Sequence, residues 1–169
     1  ILFFRLGDFY EMFFEDAEKA APVMGIVLTK RQGMPMCGVP YHSYTNYLAK
    51  LLKAGFKVAI ADQMEDPAKA KGIVKREVVR VLTPGMILEN ELLDRASHNY
   101  ILAMAGHGAK LGLAYLDIST GTFRLTETED RRSALEEALR VGPSEILVST
   151  SFQADETRQE LIRPFAQRA

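Results

Sequence analysis

The sequence predicts a mixed α/β protein of two units: a mixed β-sheet with flanking helices, then a second, partial α/β domain. Three observations carry this. Apolar runs of strand length alternate with stretches of helical period as far as Leu82. Three strand-like runs then follow one another between Tyr100 and Thr126. The texture of the chain changes within residues 87–99. The expected organisation is therefore a first domain over 1–86, a linker over 87–99 and a second domain over 100–169, cut off before its sheet is complete.

Residues 1–6 read as a short buried strand ended by Gly7. A helix is expected from about Phe9 to Met24, because Tyr10, Phe13, Phe14, Ala17, Ala21 and Met24 recur at helical spacing. Gly25 is its natural stop, and Pro22 implies an early finish or a kink. Residues 26–29 read as a second strand and 30–33 as a turn. Pro35 and Pro40 place 34–40 in a loop or an edge strand, since proline cannot donate to a central ladder. Ser43 is read as the cap of a helix to Ala54 that buries Tyr44, Tyr47, Leu48, Leu51 and Leu52 and stops at Gly55. A strand over 57–63, a polar connector over 66–72 and a half-exposed strand over 74–82 follow, ended by Thr83-Pro84-Gly85. In the second half, strands are expected over 100–105, 111–118, 122–126 and 145–148, with helices over 133–141 and 155–165.

Hydrophobic residues make up 47% and charged residues 25%, the balance of a globular protein. No apolar run has the length of a membrane helix, and Arg5 and Asp8 interrupt the opening too soon for a signal peptide. The chain opens without Met inside a strand-like run and is expected to be a piece of a longer protein. The lone Cys37 excludes an internal disulfide and suits a reducing cytoplasm. Cys and His at positions 37, 42, 98 and 107 do not form a metal-ligand pattern. A net charge of −1 argues against a uniformly basic coating of nucleic acid. Basic residues nevertheless cluster over 66–80, where Lys69, Lys71, Lys75, Arg76 and Arg80 face only Asp66 and Glu77.

Several strings, taken in order, resemble the MutS family: Phe4-Arg5-Leu6-Gly7-Asp8-Phe9-Tyr10-Glu11-Met12-Phe13, Leu28-Thr29-Lys30-Arg31 and Pro35-Met36-Cys37-Gly38-Val39-Pro40-Tyr41-His42. Asn46-Tyr47-Leu48-Ala49-Lys50-Leu51, Val58-Ala59-Ile60-Ala61-Asp62-Gln63 and Val78-Val79-Arg80-Val81-Leu82-Thr83-Pro84-Gly85 continue the series. Leu116-Asp117-Ile118-Ser119-Thr120-Gly121, followed by Phe123, is similar to the opening of the family's connector domain. The resemblance implies a mismatch-binding domain followed by a connector of RNase-H-like fold, in a bacterial, cytoplasmic, nucleoid-associated repair protein. It also implies that the full-length protein is a dimeric clamp on mismatched double-stranded DNA, with an ATPase domain and a MutL-type partner met through the connector. No G-x-x-x-x-G-K-[ST] loop occurs here, so ATP and Mg²⁺ are expected to belong to other parts of the parent and no enzymatic activity to this piece. Only Gln32 and Gly33 separate Arg31 from Met34, where relatives generally carry a longer loop.

The DNA-binding residues expected are Phe9, Glu11, Arg76, Arg31, Lys30 and Met36, with Lys75 as a further candidate. In a helix Phe9 falls about 100° off the apolar stripe, and an exposed aromatic ring suits a wedge between base steps. The plainer reading is a core Phe at a strand–helix junction. Glu11 fits a capping box with Asp8. If Phe9 and Glu11 instead meet one base pair, the chain there must be extended, because i and i+2 share a face only in a strand. The carboxylate could accept a hydrogen bond from a base or, carrying a proton, donate one. Lys30, Arg31, Lys75 and Arg76 suit phosphates or a solvated face equally, and resemblance favours Arg76. Met36 reads as a minor-groove contact by resemblance, or as core. Asp117 suggests a rival, an RNase-H-like structure-specific nuclease. Two-metal cleavage needs several convergent carboxylates, however, and Ser119-Thr120-Gly121 makes Asp117 a turn-former. A MutS paralogue that binds junctions without mismatch selectivity is the other alternative, and the Phe9–Glu11 pair argues against it.

Overall fold

The computed structural model describes residues 1–65, 72–86 and 98–166. The expected connector over 66–72 and linker over 87–99 lie outside the described residues except for Gly72, His98 and Asn99. The chain folds as two compact units, Ile1–Thr83 and Pro84–Ala169.

The first unit opens with β1 (Leu2–Leu6) and β2 (Phe9–Phe13), an antiparallel hairpin in which Leu6 faces Phe9. The helix expected from Phe9 therefore starts later, as α1 (Phe14–Met24). Gly7 has φ 59°, and glycine with positive φ at the first of two turn residues is the signature of a II′ hairpin. Tyr10 and Phe13 fit both periods; pairing with β1 decides for the strand, with Tyr10 and Met12 buried and Phe9 exposed. The capping box is lost with the early helix: Asp8 lies in the turn and Glu11 in mid-strand. Phe14, at φ 53°, swings the chain from strand to helix, a left-handed conformation that costs a bulky residue about 1–2 kcal/mol. The helix runs past Pro22, whose missing N–H falls in the last turn, and closes on Gly25 at φ 72°. Lys50 Nζ donates to the free Met24 carbonyl (2.7 Å).

The next strand, β3 (Thr29–Arg31), lies later than expected, so Lys30 and Arg31 belong to a strand rather than a turn. The turn is Gln32-Gly33, both at positive φ (52° and 83°), the I′ pattern. It leads into β4 (Met34–Pro40), which is interior rather than a loop or an edge. The strand tolerates its prolines because each has a neighbour on one side only: β2 pairs with Met36–Pro40 and stops short of Pro35, and β3 pairs with Met34–Met36 and stops short of Pro40. Ser43 does not cap the second helix; its hydroxyl donates to Pro40 O (3.4 Å), and a 3-10 turn, Tyr41–Ser43, leads into α2 (Tyr44–Lys53). Leu48, Leu51 and Leu52 are buried, and Tyr44 and Tyr47 half-buried. Finally β5 (Val58–Gln63) runs parallel to β1, and β6 (Arg76–Leu82) closes the edge. A bulge at Ile60/Ala61 shifts its register, and Val78, Val79 and Val81 are all exposed, more than simple alternation predicts.

The strand order is β3-β4-β2-β1-β5-β6. Both helices pack on one face, over Phe3, Tyr10, Met12, Cys37, Val39, Val58 and Ile60. By alternation, the opposite face presents Phe4, Leu6, Phe9, Glu11, Phe13, Met36 and Gly38. Among the described residues no helix of this unit covers it.

The second unit contains β7 (Tyr100–His107), β8 (Lys110–Asp117) and β9 (Thr122–Thr128), the antiparallel meander expected. Helix α3 (Arg131–Val141) returns the chain to β10 (Glu145–Val148), parallel to β7, in the order β10-β7-β8-β9. Asp130 caps α3 by accepting from Arg132 N and Ser133 N. A short helix not anticipated, α4 (Thr150–Ala154), precedes α5 (Gln159–Ile162), which is shorter than the helix expected and flanked by 3-10 turns. Leu102, Met104, Leu113, Tyr115, Ala138, Ile146, Phe152 and Leu161 form the core. No described helix of the chain is long and apolar enough to cross a membrane.

Candidate nucleic-acid interface

The site is built on the β1–β2 hairpin. Both carbonyls of its turn are held: Arg5 Nε donates to Gly7 O (2.5 Å), and Tyr41 N donates to Asp8 O (2.9 Å). Arg5 also lies over the Tyr41 ring, 3.6 Å from its centre. Phe9 follows this pinned turn directly and is 46% exposed. Full burial of such a ring is worth roughly 1.5–3 kcal/mol, and a ring left about half in water forgoes about half of that. Glu11, two residues on in extended chain, lies on the same face, as a shared base-pair target requires.

Glu11 is not alone there. Its Oε2 accepts from Arg31 Nη1 at 2.8 Å, a contact that joins β2 to β3 across β4. The Glu11 side chain is 14% exposed and that of Arg31 54%. Beside Glu11, on β4, stands Gly38; a methyl group there would lie 3.4 Å from Glu11 Cγ. Met36, half-buried, shares the face, opposite Phe13 and Thr29. On the other side Phe4 faces Glu11, and the Arg76 guanidinium lies over the Phe4 ring at 5.1 Å. Arg76 reaches past β5 to donate from Nε to Arg5 O (2.6 Å), and from Nη1 to Val74 O (2.7 Å).

The structure thus brings Phe9, Glu11, Arg31, Met36 and Arg76 to one sheet face. Lys30 is separated from them: as Arg31's neighbour on a strand, it points to the opposite side. Lys75 is exposed and paired with Glu77 (2.5 Å). Sequence reasoning missed Arg5, Tyr41 and Gly38. Gly7-Asp8 between two strand-length runs was a readable hairpin signal. Nothing local links Arg5 to Tyr41.

Asp117 is a different kind of carboxylate. Oδ1 accepts from Ser119 N (3.0 Å), Ser119 Oγ (2.6 Å) and Thr120 N (3.4 Å), and Oδ2 contacts His98 Nδ1 (3.1 Å) and Asn99 N (3.4 Å). Burial pushes this carboxyl up, but the hydrogen bonds from Ser119, His98 and Asn99 outweigh it and bring it down to about 2. Its lone pairs shape the β8–β9 turn. Among the described residues no group of three or more His, Cys, Asp or Glu is placed to hold a metal.

Two family models match the chain: MutS domain I over residues 1–91 and MutS domain II over residues 99–168. A protein of Desulforapulum autotrophicum named "DNA mismatch repair protein MutS" is 51% identical over 175 residues, covering 98% of this chain and 20% of that protein. Proteins of the same name from Syntrophomonas wolfei (57% identical; 89% of this chain, 18% of that protein) and Staphylococcus haemolyticus (48%; 94% and 19%) are similar along the same stretch. The chain spans about a fifth of the length of these relatives.

Proposed function

The chain belongs to the MutS family, and from that premise we propose that it is the mismatch-reading part of a DNA mismatch repair protein, with Phe9 as wedge and Glu11 beside it. The observation that carries this reading is an exposed aromatic ring on a pinned hairpin, sharing an uncovered sheet face with a carboxylate. A rigid mount matters because a wedge that yields transfers no strain to the duplex.

Smoothly bending a 20–30 bp site costs about 1–6 kcal/mol, and unstacking a step adds a few more. A mispaired or unpaired base has already lost part of that stacking. Phe9 therefore discriminates by how readily the duplex kinks, without reading sequence. Glu11 meets the displaced base, and Arg31 and Arg76 hold phosphates on either side. Met36 borders the groove. Lys30, on the other face of β3, is at most a peripheral phosphate contact. For the full-length protein the family leads us to propose a homodimeric clamp, with ATP and Mg²⁺ handled outside this chain and a MutL-type partner meeting the second unit.

Phe9→Ala in the full-length protein tests the reading. A base–aromatic stack is worth about 1–3 kcal/mol, so binding to a G·T duplex should fall roughly five- to 150-fold. Homoduplex binding, carried by phosphate contacts, should change little. An unchanged ratio of the two affinities in a folded variant would remove the wedge.

A further inference from the structure

The geometry points to Arg31 as an exchangeable counter-ion for Glu11: paired with it before DNA binds, and transferred to a backbone phosphate when DNA docks. This rests on the reading above, in which Glu11 meets the displaced base.

The pair is asymmetric. Glu11 is mostly covered and Arg31 half-exposed, so an incoming anion reaches the guanidinium before the carboxylate. Arg31 contributes Nη1 to the 2.8 Å contact, and a guanidinium has five N–H donors in a fork that fits phosphate. The mount is short and fixed. Gln32 and Gly33, both at positive φ, close β3 onto β4 in two residues, which holds the Arg31 backbone in register. Gly38 leaves the surface of β4 bare beside Glu11, so the contact can cross from one strand to the next but one.

The charges give the exchange its direction. An unpaired Glu11 would repel phosphates as DNA approached; paired, it presents a neutral couple. A surface ion pair of this exposure is worth roughly 1.4- to five-fold in an equilibrium. A phosphate contact also releases a condensed counterion, which favours transfer at low salt. Phosphate capture by Arg31 and release of Glu11 toward the base thus become one event.

A double-mutant cycle on homoduplex binding by the full-length protein tests this, with Arg31→Ala, Glu11→Ala and both together. Exchange means that in the native protein part of the phosphate contact is spent on breaking the pair. Arg31→Ala should therefore weaken binding about 1.4- to five-fold more when Glu11 is already Ala than when Glu11 is present. The salt slope should fall by about 0.9 in both backgrounds, and Arg31→Lys should restore it. Additive effects would make Arg31 a phosphate contact only. The opposite sign, with Arg31→Ala costing more beside an intact Glu11, would mean that the pair persists on DNA; either result overturns the proposal. Should Arg31→Ala lower the melting temperature, Arg31→Gln repeats the cycle at similar size. Phe9 takes no part in the cycle, so the wedge reading fails independently, on the G·T to homoduplex ratio of Phe9→Ala.

Discussion

Glu11 in the first unit and Asp117 in the second are both carboxylates on strands of half-covered sheets, yet their surroundings differ. Asp117 is 1% exposed and engages side-chain and backbone groups of Ser119, Thr120, His98 and Asn99. Among the described residues Glu11 has one ion-pair partner, supplied by a side chain more than half exposed. The first arrangement consumes the group's hydrogen-bonding capacity to build a turn. The second leaves it poised, with a counter-ion that another anion can draw away. Burial alone would have ranked Asp117 as the more suspicious residue; counting donors reverses the order.

Removing each carboxylate should break the symmetry between them. Asp117→Ala removes the buried acceptor shared by Ser119, Thr120, His98 and Asn99 and should cost about 1–3 kcal/mol of unfolding free energy, while Glu11→Ala should cost less than about 1. Urea titrations of the two variants measure this, and equal costs would abolish the distinction. Asp117 also carries an acid signature. Its folded-state pKa of about 2 lies below the ordinary 3.8, so its stabilisation is present above pH 3.8 and is lost as pH falls toward 2. Across that window Asp117→Ala should flatten the stability profile, and Glu11→Ala should leave this part of it in place.

The guanidiniums sharpen the same contrast at smaller scale. Among the described residues Arg76 is held by two backbone carbonyls and a ring, Arg31 by one carboxylate. Arg76→Ala should therefore lower stability by about 1–2 kcal/mol and also weaken homoduplex and mismatch binding by similar factors. A change in mismatch discrimination alone would show that Arg76 reads the lesion rather than the backbone. The smallest effect concerns the mount of Arg31. Gln32 sits at φ 52°, where Asn is better tolerated, so Gln32→Asn should raise stability by a few tenths of a kcal/mol. A melting temperature that falls on this change would argue against the tight turn.

Much of the architecture was legible because neighbouring residues decide it. The β7–β8–β9 meander follows from alternation and intervening turn residues, and α3 from its periodicity. The opening of the chain was harder. Tyr10, Phe13 and Phe14 satisfy helical spacing, whereas Phe9 to Phe13 is four apolar residues around Glu11, a run too short and too apolar for its period to separate strand from helix. The Gly7-Asp8 dipeptide could have tipped the balance. The interior place of β4 could not be read locally, because its prolines are tolerated only through where β2 and β3 end.

By itself, the sequence determined the family and the two-unit α/β plan and singled out Phe9, Glu11, Arg31 and Arg76 as candidates for DNA contact, since those depend on residue type and order. Tertiary structure alone decided that Glu11 is paired, that Lys30 faces away from it and that Arg76 is tied to the backbone of β1. Each of these depends on which strands become neighbours and in what register. A shift of one residue turns every side chain of a strand to the other face. Spacing along the chain cannot supply that information, because it resides in pairings between residues 20 and 71 positions apart.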